Sequence, residues 1–154
     1  MRFLVKTYRG LARNKRYTQF LVLLSFLLTF GAVRAITHLQ RAGLLPDQQG
    51  ALHIHHLVPG IFLVLLSGYI GISFWHNPKL RLVTAVLFGI GAALTIDEFA
   101  LWLFLEDVYW EKQGRASIDA VIIVATLLTL SFILSEAHDH KWLKRLQGKL
   151  QSLQ

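Results

Sequence analysis

Residues 17–36 have the sequence YTQFLVLLSFLLTFGAVRAI, and the part from Tyr17 to Val33 carries no charged side chain. A helix that crosses a bilayer core about 30 Å thick needs about 20 consecutive apolar residues. Three further apolar runs cover residues 57–75, 82–105 and 116–135. The sequence therefore predicts an all-α integral membrane four-helix bundle, and we expect residues 1–154 to form a single membrane domain.

Composition agrees with a membrane protein. The chain is 54% hydrophobic and 16% charged, whereas soluble domains average about 25% charged residues. The net charge of +7 could suggest nucleic acid, but Lys and Arg lie beside the ends of the apolar runs. We therefore expect membrane lipids and no nucleic acid as partners, and the sequence leaves open whether the chain forms a homo-oligomer. The lack of cysteine excludes disulfides, thiolate catalysis and Cys-type zinc sites.

The basic residues also predict an orientation. Twelve of the sixteen Lys and Arg residues fall in the N-terminal 16 residues, the loop at 79–81 and the C-terminal tail. By the positive-inside rule, both termini are cytoplasmic. Leucines at helical spacing among cationic residues predict an amphipathic interfacial helix at about 139–153, and the N-terminus has a similar pattern. The alternative for these segments is a solvated tail.

Ionisable side chains concentrate at the opposite, outer end of the predicted bundle. Four of the seven histidines and seven of the nine carboxylates fall there. Such groups are costly at membrane depth and are usually kept for a function or for a buried pair. Helical spacing places the following residues in or near one layer: Arg34, His38, His53, His55, His56, Asp97, Glu98 and Asp119.

Periodicity separates the two adjacent acids in the third span. Glu98 lies on one helical stripe with Gly91 and Thr95, and small or hydroxyl residues are favoured where membrane helices touch. We therefore expect Glu98 to face the bundle interior. Asp97 lies about 100° round the helix, and both acids point inward if the cavity is wide.

Imidazole and carboxylate groups are ligands of zinc, iron and manganese, and helical bundles build metal sites from facing side chains. Asp97 or His55 would act as the catalytic base or support a ligand. Arg34, beside His38 on the same helix face, would bind an anionic substrate headgroup or hold a carboxylate. We predict a divalent zinc, iron or manganese ion bound by His53, His56, Glu98 and Asp119.

Three functions remain open. The first is a metal-dependent enzyme or binding protein that acts on a lipid or amphiphile from the outer leaflet. The second is a cation or proton transport protein, and the third is a non-catalytic subunit in which Arg34 simply neutralises buried acids. A transporter needs a polar path to the cytoplasmic side. The inner halves of the spans offer only scattered Ser and Thr, which favours a one-sided cavity.

Four distinctive strings lie between residues 53 and 121: HIHH at 53–56, LTIDEFALW at 94–102, DVYW at 107–110 and GRASIDA at 114–120. This pattern resembles that of a family of small bacterial integral membrane proteins with four spans. The resemblance covers less than half of the chain. It implies a multi-pass protein of the bacterial inner membrane, and it implies no mechanism.

Overall fold

The computed structural model describes residues 15–46, 55–74, 76–106 and 109–151, and it describes side chains in these ranges from residue 16 to residue 135. Over these ranges the chain is helical and contains no strand. The long helices are α1 (Lys15–Arg41), α2 (Leu57–Ser73), α3 (Pro78–Asp97) and α5 (Arg115–Gln151). A short helix α4 (Phe99–Phe104) follows α3, and a 3-10 turn (Lys112–Gly114) precedes α5. The four apolar runs of the sequence thus form four long helices.

Three of the helical segments are long and apolar enough to cross a membrane: Arg16–Arg41, Pro78–Asp97 and Lys112–Ser135. The fourth apolar helix, α2, is shorter, with 17 residues. A local sequence signal marks where α3 begins. Pro78 occupies the first turn of α3, and the Asn77 side chain accepts hydrogen bonds from the backbone of Lys79 and Leu80. An Asn cap followed by Pro is a favourable helix start.

The helix α3 lies at the centre of the molecule, because it packs against α1, α2 and α5. Small residues on opposite sides of α3 permit this. A Cβ atom added at Gly89 would meet Ser25 and Val22 of α1, and one added at Gly91 would lie 2.8 Å from the Gly60 carbonyl of α2. Membrane helices often approach each other through such small residues. These glycines therefore let α1 and α2 pack closely on α3.

The bundle is open on one side. Among the described helices, α2 packs against α3 alone, while α1, α3 and α5 contact one another. The buried apolar core accordingly lies among these three helices, around Phe26, Ala93 and Val121. Large apolar side chains on the outer faces remain exposed, including Phe62 and Ile72 of α2.

The predicted third span, 82–105, is divided in two by the structure. The helix α3 ends at Asp97, and α4 begins at Phe99. In a continuous helix the Asp97 carbonyl would accept from the Leu101 N–H. That N–H instead donates to the Glu98 carbonyl at 3.0 Å, and the Asp97 carbonyl lies 3.4 Å from Arg34 Nη2. An arginine from α1 thus takes the place of a helical donor.

Ser117 of α5 completes this break. Its hydroxyl oxygen accepts a hydrogen bond of 2.9 Å from the Ala100 N–H, and the Ser117 side chain is buried. The first N–H groups of a helix have no partner within that helix, and buried ones need an acceptor from elsewhere. Ser117 supplies one for α4 and so joins α5 to the break.

The last helix extends beyond the predicted span at 116–135. The helix α5 continues without interruption to Gln151 and has 37 residues, which corresponds to about 55 Å. The segment predicted as an interfacial tail is therefore continuous with the span, at least up to Gln151. Its interfacial location stays a prediction, and the similar N-terminal pattern lies outside the described residues.

Candidate functional site

Asp97 is the centre of a polar cluster at the break between α3 and α4. Its side chain has no exposed surface. One carboxylate oxygen, Oδ1, accepts from Arg34 Nε at 2.6 Å. The other, Oδ2, accepts from the Tyr109 hydroxyl at 3.0 Å and lies 2.9 Å from His56 Nε2. Arg34 therefore neutralises this buried carboxylate, and three side chains together orient it.

Arg34 reaches Asp97 from α1. Its side chain is 15% exposed, and its guanidinium lies 4.4 Å from the ring centre of Tyr109. A buried charge is tolerated when it is paired and hydrogen-bonded, and removal of one partner is strongly destabilising. Of the two roles predicted for Arg34, the structure shows the one in which it holds a carboxylate.

Glu98 fixes the start of α2. Its side chain is buried, and its Oε2 atom accepts a 2.8 Å hydrogen bond from the Leu57 N–H. Leu57 is the first residue of α2, and carboxylates are favourable beside the unpaired N–H groups of a helix start. The other oxygen, Oε1, lies 2.9 Å from His55 Nδ1 and 3.5 Å from His56 Nδ1. Glu98 therefore positions both histidines.

Glu98 is buried as predicted, but periodicity ranks the two acids wrongly, because Asp97 is the more deeply buried. Asp97 is fully buried and accepts bonds from α1 and from the loop after α4, while Glu98 faces the start of α2. The periodicity argument assumed an unbroken helix through both residues. The helix ends at Asp97, so both side chains point into the same polar layer.

His55 and His56 each have one ring nitrogen 2.9 Å from a buried carboxylate, and the second ring nitrogen of His56 lies 3.5 Å from Glu98. Their side chains are 27% and 26% exposed, in contrast to the buried acids. An ionised carboxylate only accepts hydrogen bonds. The proton that faces Glu98 is therefore on Nδ1 of His55, and the proton that faces Asp97 is on Nε2 of His56. When both carboxylates are ionised, the two imidazoles thus face them through different ring nitrogens.

Tyr109 closes the cluster from the loop after α4. Burial raises the pKa of Tyr109 to about 12, because desolvation disfavours the charged phenolate. Its hydroxyl also lies 3.3 Å from Thr37 Oγ1. Sequence reasoning placed Tyr109 and Trp110 in an interfacial aromatic belt, and nothing in the sequence indicated the contact with Asp97. We call the following residues the carboxylate–histidine cluster: Arg34, His55, His56, Asp97, Glu98 and Tyr109.

His38 lies one turn beyond Arg34 on α1 but contacts an aromatic ring. The centres of the His38 and Trp110 rings are 5.2 Å apart, and the Arg41 guanidinium lies 4.4 Å from the Trp110 ring centre. Among the described residues, no contact joins His38 to Asp97 or Glu98. The predicted substrate-binding role of His38 therefore gains no support from the cluster. These stacked contacts instead fasten the loop containing Trp110 to α1.

Asp119 does not join the cluster. Its side chain is 57% exposed and lies 3.8 Å from Arg115, which is 82% exposed. Ser117 and Val121 point into the protein, and Asp119 is two residues from each. Two residues correspond to about 200° on a helix, so Asp119 points away from them. The position of Asp119 along the helix could be predicted, whereas the direction of its side chain could not.

The predicted metal ligands are only partly together. His56 and Glu98 are close, Asp119 is on another face, and His53 lies outside the described residues. Within the part of the chain that the structure describes, no group of three or more His, Asp or Glu residues could hold a metal ion. The oxygens of Asp97 already accept from Arg34 and other donors. A metal at this site therefore stays a prediction that depends on His53.

Comparison with known proteins gives no match to a family model, to a curated protein or to a solved structure.

Proposed function

We propose that the chain is a multi-pass protein of a bacterial inner membrane, with cytoplasmic termini and the carboxylate–histidine cluster at the outer end. Three long apolar helices support insertion, as do the exposed apolar faces that include Leu28, Phe62 and Ile123. The concentration of Lys and Arg at the end opposite the cluster supports the orientation.

Single cysteines test this placement without interference, because the chain has none of its own. Cysteines at Gln48 and Gln113 should react with an impermeant thiol reagent added outside intact cells. Cysteines at Asn77 and Ser152 should react only after the membrane is opened. The inverted pattern would place the cluster on the cytoplasmic side and contradict the orientation.

We further propose that His55 and His56 are acid–base groups that act on the polar part of a lipid or other amphiphile. One observation carries this proposal. Each imidazole is about one quarter exposed, and each lies 2.9 Å from a buried carboxylate through one ring nitrogen. A carboxylate that fixes the tautomer and orientation of a histidine is a recurrent arrangement in acid–base catalysis.

Asp97 and Glu98 are positioning residues in this proposal. Asp97 orients His56 and is itself held by Arg34, and Glu98 orients His55 and the first turn of α2. The proton-transferring role thus falls to the partly exposed imidazoles, because the acids are buried and their oxygens already accept hydrogen bonds. A substrate that enters from the bilayer meets the histidines first.

The alternative of transport has less support. The nearest polar group on α3 below the cluster is Thr95, whose hydroxyl is buried and has no hydrogen-bond partner among the described residues. Further along, Ser67 and Thr84 donate to carbonyls of their own helices. The hydrogen bonds of the cluster thus do not continue through these described groups. A one-sided site fits this arrangement better than a relay across the bundle.

A divalent metal is the second candidate, and the same carboxylate–histidine contacts favour it. Histidines that bind metal usually donate their other ring N–H to a carboxylate or carbonyl. Zinc, iron or manganese would then bind His55 or His56 together with His53. Protein purified without chelator should carry about one or two equivalents of metal, as expected for a mononuclear or binuclear site. If the purified protein holds no stoichiometric metal and added metal does not stabilise it, the metal proposal is rejected. Acid–base chemistry without a metal is then the remaining proposal.

Lipid conversion tests the proposed activity. The protein should be placed in nanodiscs of extracted bacterial lipid, and the lipids followed by mass spectrometry. A new product should appear with the wild type and with His76→Gln, which alters an exposed histidine at the opposite end. The double variant His55→Gln/His56→Gln should lose the product by at least about 100-fold, the usual contribution of general acid–base catalysis. Unchanged lipids with the wild type would contradict the proposal.

A further inference from the structure

A second feature lies on the α5 side of the break between α3 and α4. A groove of about 420 Å³ separates Ile96 and Phe99 from one stripe of α5. Small-molecule sites commonly have volumes of about 300–1,000 Å³. The α5 residues that line the groove recur at helical spacing, with two alanines that leave room: Ala116, Asp119, Ala120, Ile123 and Val124.

The lining of the groove is almost entirely apolar, and a pair of exposed charges lies beside it. Asp119 is the charged residue of its lining, and Arg115 lies one turn earlier on α5. Their charged atoms are 3.8 Å apart and both side chains are exposed, so the pair contributes little to stability. Both charges can therefore turn to a ligand at low cost, while Ile123 and Val124 offer an apolar surface deeper along the helix.

We propose that this groove binds one acyl chain of a zwitterionic phospholipid with a primary ammonium headgroup, phosphatidylethanolamine. Arg115 and Asp119 present opposite charges 3.8 Å apart, and the phosphate and ammonium of a headgroup are likewise neighbouring opposite charges. The guanidinium of Arg115 pairs with the phosphate, and the carboxylate of Asp119 accepts from the ammonium. A trimethylammonium headgroup has no N–H to donate, and a glycerol headgroup has no positive charge.

This inference rests on the membrane location proposed above and not on the chemistry of the carboxylate–histidine cluster. Asp119 and the cluster lie on different faces, so lipid binding at α5 and acid–base activity are separable. Cysteine labelling tests the location by itself. If the protein labels as expected but shows no preference among lipids, the groove proposal is rejected and the proposed membrane location stands.

The test is native mass spectrometry of the delipidated protein in micelles with phosphatidylethanolamine, phosphatidylcholine or phosphatidylglycerol of identical chains. The ethanolamine lipid should be retained best. Asp119→Asn should reduce that preference about threefold, as expected for one exposed charge, and Ala120→Trp should abolish retention by filling the groove. Glu111→Gln, which alters an exposed acid outside the groove, should change nothing.

Equal retention of the three lipids, or undiminished retention by Ala120→Trp, would overturn the proposal. A dimer that disappears in Ala120→Trp would assign the groove to a second copy of the chain and would also overturn it. Asp119→Asn keeps the test valid if Ala120→Trp fails to fold, because an exposed carboxylate can be neutralised without a change in packing.

Discussion

Two arginine–aspartate pairs lie at the same end of this molecule, and their surroundings differ in every respect. The Arg34–Asp97 pair is 2.6 Å long with side chains 15% and 0% exposed, whereas Arg115–Asp119 is 3.8 Å long with side chains 82% and 57% exposed. Charges interact far more strongly when they are removed from water. The comparison shows that burial and additional hydrogen bonds, and not residue type, decide what such a pair does.

The largest expected effect follows from breaking the buried pair. Arg34→Gln should lower the free energy of unfolding by about 3–5 kcal/mol, because it leaves the Asp97 carboxylate buried without its cation. Thermal or denaturant unfolding in detergent measures this. Much of the loss should be recovered in Arg34→Gln/Asp97→Asn. As a control, the addition of Asp119→Asn to Arg34→Gln should recover no stability. If Asp97→Asn and Asp119→Asn recover stability equally, the two pairs do not differ in the way proposed.

A smaller effect is expected when one hydrogen bond to the same carboxylate is removed. Tyr109→Phe should cost about 1 kcal/mol of unfolding free energy, because Asp97 loses one of its three donors. Thr37 also contacts the Tyr109 hydroxyl. The double variant Tyr109→Phe/Thr37→Val therefore shows how much of the cost comes from that second contact. If Tyr109→Phe is as stable as the wild type in matched melts, the hydroxyl is not part of the buried network.

Tyr109 also predicts a pH dependence. The pKa of Tyr109 is raised to about 12 from an ordinary value of 10, so its neutral form is favoured by folding. Its contribution to stability is complete below pH 10 and is lost as pH rises from 10 to 12. The wild type should therefore lose more stability than Tyr109→Phe over this interval. Parallel pH profiles for the two proteins would contradict the raised pKa.

The smallest effect belongs to the exposed pair. Arg115→Gln and Asp119→Asn should each change the free energy of unfolding by less than about 0.5 kcal/mol. The change should shrink further in high salt, because exposed charges are screened. A loss of 2 kcal/mol or more for either variant, well beyond the roughly 1 kcal/mol limit of exposed pairs, would mean that the pair is buried in the membrane or in an oligomer.

The four long helices could be predicted because length and apolar composition alone determine where such helices form. The main members of the polar cluster could also be predicted, since charged residues inside apolar runs are conspicuous. Arg34, His56, Asp97 and Glu98 all contact one another directly or through a shared partner. These features depend on local sequence and on the direction of each span.

What could not be predicted depends on contacts between distant segments. The break after Asp97 is stabilised by Arg34 and Ser117, which lie 63 and 20 residues away. The direction of Asp119 depends on which face of α5 packs against the core, and several faces of that helix are apolar in sequence. Tyr109 reaches Asp97 only because the chain turns back after α4. Periodicity within one segment carries no information on these contacts.

Buried carboxylates contact His55 and His56 through different ring nitrogens. Nitrogen NMR of histidine side chains, with the protein in nanodiscs, measures this directly. We expect a hydrogen-bonded proton on Nδ1 of His55 that is disturbed by Glu98→Gln, and one on Nε2 of His56 that is disturbed by Asp97→Asn, with the exposed His76 unaffected. Imidazole signals of His55 and His56 that do not respond to either substitution would contradict the account.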